Sequence, residues 1–461
     1  MKENLVEGNS ITENAISENS VKEKPVKEKS STGNSGKQGK IKPNRNAFLL
    51  LFLIPLYFIL IGLWLQPVSE LGEGLLTIIR EPDFLITDYF VLGGPGAALI
   101  NAGVVTLLCL LMVFWLRMEI DGHTLTALCL MFGFSLFGKN LLNIWLILVG
   151  VFLYARVHKT PLSKYLYIGF YGTSLSPIIT ELMQLGHLPF WIRLFLAVIT
   201  GLSIGFVLPP LSTYTHYAHN GYSLYNVGFA AGIIATVVMS LCKSFGMTVE
   251  SRLLWSTEYT NTFTWILAIL FLGMLLASLF PNPMETLRGY RAIWKAGGRG
   301  GTDYVKEAGV RPTIFNMAVN GLFCILFVRL VGGDLNGPSI GAIFTVVGFS
   351  STGKHLRGIA PVMAGVWLAS LTKQWNISDP SALLALLLST TLAPISAKFG
   401  IIWGMIAGYL HSSVALNVGI VYGGMNLYNN GFAGGLVAIF LVPLIQSFQE
   451  RRARAKEEIS L

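Results

Sequence analysis

The chain has 461 residues, of which 53% are hydrophobic and only 12% charged, and it carries a formal net charge of +9. A charged share of about half that of a soluble domain excludes an ordinary water-soluble fold. The basic excess sits in an N-terminal arm, a central loop and the C-terminal tail, so it reads as membrane topology and not as a nucleic-acid surface.

Residues 1–46 are rich in Lys, Glu, Ser, Asn and Gly and hold too little apolar surface to order themselves, which predicts a disordered cytoplasmic arm. Ala47–Leu65 is the first run long enough to cross roughly 30 Å of hydrocarbon. Lying behind a long polar arm, it reads as a transmembrane helix and not as a cleaved signal. With its connector it fills residues 47–95. Further spans are predicted at Gly96–Leu116, Tyr165–Met183, Pro189–Leu208, Leu224–Leu241, Phe263–Phe280, Thr313–Val331, Ser381–Ala397, Ile401–Leu416 and Leu427–Ile445. Two pairs of shorter apolar stretches, His123–Phe137 with Leu141–Ala155 and Gly337–Ser351 with Leu356–Leu371, are too short to span comfortably. They suit the arms of re-entrant hairpins, although thin complete crossings remain the alternative.

Lys and Arg crowd the arm, the loop Pro281–Pro312 and the tail at 448–461, which the positive-inside rule makes cytoplasmic. The predicted location is the cell membrane, with multiple passes and both termini cytoplasmic.

The chain repeats itself. Gly133-Phe134-Ser135-Leu136-Phe137-Gly138-Lys139 returns as Gly348-Phe349-Ser350-Ser351-Thr352-Gly353-Lys354, a separation of 215 positions (354 minus 139). The same offset pairs Asn101 with Asn316, Cys109 with Cys324 and Gly150 with Gly365. Thr173–Ile178 then matches Thr390–Ile395, and Leu224–Gly232 matches Leu427–Gly435. Repeat 1 covers 96–245 and repeat 2 covers 313–447, separated at 246–312 by an extra transmembrane helix and the basic loop. Gly96–Leu116 runs inward while its partner Thr313–Val331 runs outward, so the repeats have inverted topology, an arrangement characteristic of transporters and some channels. The fold class is therefore all-α: a polytopic membrane protein with two inverted-topology repeats, about ten transmembrane helices and two broken or re-entrant helical hairpins.

The tips of the two hairpins carry the candidate site: Ser135, Lys139 and Asn140 in one, and Ser350, Lys354 and His355 in the other. A charge inside a membrane is costly and usually functional. Helix N-termini at Leu141 and Leu356 would favour an anionic or dipolar solute there. The alternative is a pair of lysines that snorkel to opposite surfaces. Asn226 and Asn429, in the repeated Leu-Tyr-Asn sequence, offer a donor and an acceptor to a solute, or equally cap a broken helix. His216, His219 and His411 lie close by without matching positions. The four cysteines show no metal-ligand spacing and no Walker motif is present, so no metal or cofactor is expected.

The duplicated GFSxxGK and LYNxGFAxG sequences resemble an uncharacterised family of bacterial multi-pass membrane proteins known only as a domain of unknown function. A fainter resemblance links Ser223–Gly228 and Asn426–Gly431 to the urea transporter family, implying a channel for urea-like solutes. That family's Asn-Pro-Leu element is absent here, with Asn336-Gly337-Pro338 a poor substitute. The function expected is a transporter or channel for a small polar or anionic solute, with its site at the interface of the repeats. The alternatives are a membrane enzyme acting on a lipid-like substrate, or a scaffold or signalling protein. The expected partners are the solute, the bilayer and, as an open question, further copies of the chain.

Overall fold

The computed structural model describes residues 45–247 and 252–460, of which 45–50 and 459–460 are described by backbone alone. The basic arm before residue 45 lies outside the described residues. The first half runs through α1 (Arg45–Leu65), α2 (Val68–Arg80), α3 (Tyr89–Trp115), α4 (Gly122–Phe134), α5 (Trp145–Val157), α6 (Leu166–Gly172), α7 (Ser176–Met183), α8 (Phe190–Ala218) and α9 (Asn226–Ser244). The second half runs through α10 (Thr260–Leu279), α11 (Pro283–Lys295), α12 (Tyr304–Ala308), α13 (Val310–Leu330), α14 (Gly337–Phe349), α15 (Leu356–Ser370), α16 (Pro380–Leu388), α17 (Ala393–Phe399), α18 (Ile401–Val418) and α19 (Asn429–Ser460). A two-residue parallel contact, Ile86–Thr87 with Leu253–Leu254, ties the halves.

Among the described residues eight helical stretches are long and apolar enough to cross a membrane, α16 with α17 counted as one, and the sharply bent pair α1 and α2 forms either a broken ninth span or a re-entrant loop. The predicted span Tyr165–Met183 is instead broken, because α6 and α7 are separated by a 3-10 turn at Thr173–Leu175. A matching turn, Ser389–Leu392, separates α16 from α17. Each turn precedes a repeated proline, Pro177 or Pro394, which has no N–H to continue an α-helical ladder.

The structure lengthens both repeats. α2 and α11 begin and end at positions matched by the 215-residue offset, Val68 with Pro283 and Arg80 with Lys295 (295 minus 80). Both are amphipathic. α1 and α10 stand in the same relation, so the first helix and the "extra" helix are equivalent members of the two halves. α3 bends at Gly94 (φ 84°), and its counterpart is divided into α12 and α13 at Gly309 (φ 93°). Left-handed backbone at one matched position explains why a single helix corresponds to two.

At the centre α4 lies against α14, all of whose residues are buried. The two run in opposite senses. Gly133 meets Gly341 near one end, while Thr126 donates to the Gly348 carbonyl near the other. These contacts are repeat equivalents of each other, as expected of halves related by a two-fold axis across the pair. Phe58, Phe132 and Phe344 pack beside it with ring centroids 4.4 to 5.5 Å apart. Outside the core, Gly150 approaches α8 at Gly205 and Gly408 approaches the Val362 carbonyl of α15, so both outer helix pairs close through small residues. Trp191, Phe195, Trp265 and Leu330 project outward from the long helices, as a lipid-facing surface requires.

A Cβ at Gly341 would stand 2.5 Å from the Gly133 carbonyl oxygen, whereas one at Gly72 in α2 would meet nothing within 4 Å. Gly341→Ala is therefore expected to lower stability by about 1–3 kcal/mol through overpacking. Gly72→Ala should raise it by about 0.5–1 kcal/mol, by removing backbone freedom from a helix interior. Thermal unfolding in detergent compares the two.

Candidate functional site

The tips are tight turns in the buried centre. After α4 the chain turns through Ser135–Asn140, and the Lys139 N–H closes on the Phe134 carbonyl at 3.0 Å. After α14 the Lys354 N–H closes on Phe349 at 2.9 Å. Gly138 and Gly353 hold φ of 153° and 155°, a conformation costly for any side chain. Each turn is stitched down by an asparagine from the preceding long helix. Asn101 Nδ2 donates to the carbonyls of Ser135 (2.7 Å) and Lys139 (2.9 Å). Asn316 Nδ2 donates to Ser350 and Lys354, both at 2.7 Å. These asparagines satisfy carbonyls that no water reaches.

Lys139 and Lys354 are fully buried and do not snorkel. Lys139 Nζ donates to the Phe170 carbonyl at 3.1 Å, in the last turn of α6. Lys354 Nζ donates to Thr390 Oγ1 at 2.7 Å and to the Tyr225 hydroxyl. Each amino group also faces two rings, the phenylalanine of its own tip and a tyrosine of the opposite half. For Lys139 these are Phe134 and Tyr428, both at 5.3 Å; for Lys354 they are Phe349 at 5.4 Å and Tyr225 at 4.4 Å. Oxygen acceptors and aromatic faces both suit an ammonium. Among the described residues no carboxylate forms an ion pair with either lysine.

The halves dock reciprocally at these interruptions. The Leu224 N–H donates to the Thr391 carbonyl at 3.0 Å, and the Leu427 N–H to the Ser174 carbonyl at 3.1 Å. Asp88 Oδ1 accepts from the N–H of Gly337, and Asp303 Oδ1 from that of Gly122, both at 3.1 Å, so each half caps the other's central helix. Near their starts α9 and α19 cross at Gly228 and Gly431.

The other predicted residues divide by role. Asn140 Oδ1 accepts from the N–H groups of Leu142 and Asn143, and His355 Nδ1 accepts from that of Gly358, so both act as caps. The N-terminus expected at Leu141 is instead a run of turns, with α5 starting at Trp145. Ser350 Oγ accepts from Asn320, while Ser135 Oγ is buried with no partner. Asn226 donates to the Ser212 carbonyl and Asn429 to that of Ala415, both at 2.7 Å, tying each break to the preceding helix. Their side-chain oxygens engage His219 and Tyr422 respectively. His411 bonds the Asn430 carbonyl at 3.2 Å. Asn101, Asn316, Tyr225 and Tyr428 are essential to this geometry. The duplication marks all four in the sequence, but only the fold brings the tyrosines to the lysines.

Two clefts lead toward this centre. The first, about 160 Å³, passes His123, His216, Gly300 and Gly301 to reach Asn226, Phe349, Tyr225 and Tyr428. The second, about 550 Å³, passes Leu85, Ile86 and Gly419 and ends at Asn429 and Asn430. Gly300 and Gly301 are the repeat partners of Leu85 and Ile86, as His216 is of Gly419 and Asn226 of Asn429. One cleft is thus the pseudo-symmetric image of the other. Tyr428 lines the first, and its hydroxyl is buried without a hydrogen-bond partner. Among the described residues no group of three or more His, Cys, Asp or Glu is placed to hold a metal ion.

A helical polytopic membrane protein built from two related halves is what the fold and centre define. The chain belongs to the family described as a protein of unknown function, DUF1576, matched twice, over residues 68–244 and 282–447. These matches start at α2 and α11, in keeping with the longer repeat. No curated protein and no solved structure matches the chain, so the fainter resemblance to urea transporters gains no support.

A buried ammonium without a carboxylate is expensive to desolvate, and apolar replacement of buried charge is often neutral or stabilising. Lys139→Met and Lys354→Met should therefore leave unfolding temperature unchanged or raised. Asn316→Ala, which orphans two buried carbonyls, should cost about 1–3 kcal/mol per group. The same thermal assay separates residues kept for function from residues kept for the fold.

Proposed function

We propose that this protein is a transporter that carries a small polar or anionic solute across the cell membrane by opening its two clefts in turn. The observation that supports this reading is the pair of pseudo-symmetric clefts, the first lined by Tyr225, Phe349 and Tyr428 beside the lysines and the second lined no further in than Asn429 and Asn430. Exchanging the conformations of two inverted halves would exchange the depths of the clefts. With the basic residues of α11 and the tail placed in the cytoplasm, the first cleft opens inward.

The centre suggests the class of solute. A cleft of about 160 Å³ suits a small molecule. Tyr225, Tyr428 and Phe349 offer ring faces, and Asn226, Ser223 and Thr345 offer polar groups at the wall. Two buried lysines without carboxylates leave the region short of negative charge, which an anionic or strongly dipolar solute would supply.

Cysteine labelling tests this reading without a known substrate. With Cys129 and Cys242 replaced by serine, His123→Cys reports on the first cleft and Ile420→Cys on the second. An impermeant maleimide should reach the two from opposite sides of sealed vesicles, and a change that raises reactivity at one should lower it at the other. Reactivity of both from one side, or rising together, would contradict alternation.

A further inference from the structure

The halves differ at a buried carboxylate. Asp83, in the connector between α2 and α3, is fully buried, and it bonds to three neutral donors. Oδ1 accepts from the Tyr89 hydroxyl at 2.7 Å; Oδ2 accepts from Asn143 Nδ2 at 3.1 Å and from Thr180 Oγ1 at 3.4 Å. In the second half the matched positions are Gly298, Tyr304, Gly358 and Ala397, so only the tyrosine is kept. There the Tyr304 hydroxyl is buried without a partner. A device needed only to hold a half together would be wanted in both.

Among the described residues no cation forms an ion pair with Asp83. Lys139, one residue past Gly138 on the facing tip, sends its amino group to Phe170. Arg252 pairs with Glu81 at 2.9 Å, and Glu181, next to Thr180 on α7, is half-exposed. Arg80 ends α2, where its carbonyl accepts from Gln184. A buried, unpaired carboxylate in a membrane protein is costly and marks a functional position.

The surroundings accommodate both protonation states. Ionised, the carboxylate receives all three hydrogen bonds. Protonated, it can donate to Thr180 Oγ1, whose own hydrogen turns to the Ser176 carbonyl at 3.5 Å. Burial pushes the Asp83 carboxyl up to about 7, against the pull of those hydrogen bonds. The group is therefore neutral below neutrality and ionised above it. Two connections lead away. Asn143 Nδ2 also donates to the Gly138 carbonyl at 3.1 Å, joining Asp83 to the tip that carries Lys139. Leu85 and Ile86, in the same connector, line the second cleft.

We propose that Asp83 is a proton-coupling site, taking up a proton through the second cleft and thereby biasing which cleft is open. The coupling half of this proposal rests on the transport reading; the proton site itself does not.

The test uses the full chain reconstituted in liposomes and titrated from about pH 5 to about pH 9, a range that brackets a carboxyl raised to neutrality. Infrared difference spectra of the wild type should show a protonated-carboxyl C=O band that disappears through neutral pH, and Asp83→Asn should weaken it, leaving the share of Asp88, which burial raises in the same way. Thr180→Val removes a donor to the ionised form and should move the midpoint upward by about one unit, which keeps the assignment testable if Asp83→Asn misfolds. The ratio of labelling at His123→Cys to that at Ile420→Cys should change about fivefold or more over the same range, and not in Asp83→Asn. Absence of the titrating band, or a band unchanged in Asp83→Asn, overturns the proton site. A labelling ratio with the same pH dependence in both proteins overturns the coupling. Clefts that never alternate, beside a titrating Asp83, remove the transport reading and leave the proton site standing.

Discussion

An interrupted helix in a membrane interior leaves backbone groups that no water reaches, and here many of their partners come from the opposite half. Asp88 and Asp303 cap each other's central helices, and Leu224 and Leu427 reach across to the 3-10 turns at Thr391 and Ser174. Because an unsatisfied buried amide or carbonyl costs a substantial part of a protein's net stability, neither half is self-sufficient. The interruptions and the two-fold pairing are one constraint seen from two sides. The centre is therefore irregular, polar and well ordered at once.

That arrangement puts flexible chemistry on a rigid frame. The outer pairs α5 with α8 and α15 with α18 close through small residues, and the long helices turn apolar side chains outward. Beside the α4 and α14 pair, the tips, the 3-10 turns and the starts of α9 and α19 meet at the axis. Each lysine belongs to one half and is roofed by a tyrosine of the other, so relative movement of the halves changes the surroundings of both amino groups together. Two clefts lined by repeat-equivalent residues flank this point, and the first reaches Tyr225 and Tyr428 while the second ends at Asn429 and Asn430.

Much of this architecture was legible in the sequence, because a duplicated chain states its constraints twice. Glycine, lysine and asparagine at the tips are held by backbone geometry and hydrogen bonds that few residue types satisfy, so their identities survive in both copies. The equivalence of α1 with α10 was hidden for the opposite reason. Lipid-facing positions require only that a residue be apolar, and residues such as Leu60 and Leu276 leave no recognisable pattern. α2 and α11 leave no such signal, because amphipathic helices of 13 residues do not register as membrane spans. The break inside Tyr165–Met183 sits in a continuous apolar stretch and shows itself only through its proline and hydroxyl residues. The pairing of Lys139 with Tyr428, and of Lys354 with Tyr225, joins residues far apart in the chain. No local pattern encodes it.

Inversion of the halves is the claim on which the clefts, the reciprocal caps and the paired lysines all depend. It is tested most directly at Glu73 and Arg288, exposed and equivalent positions on α2 and α11. Each would be replaced by cysteine and probed with an impermeant thiol reagent in sealed, uniformly oriented vesicles. Labelling of one from outside and of the other only after the membrane is opened is the predicted result. Labelling of both from the same side would contradict it.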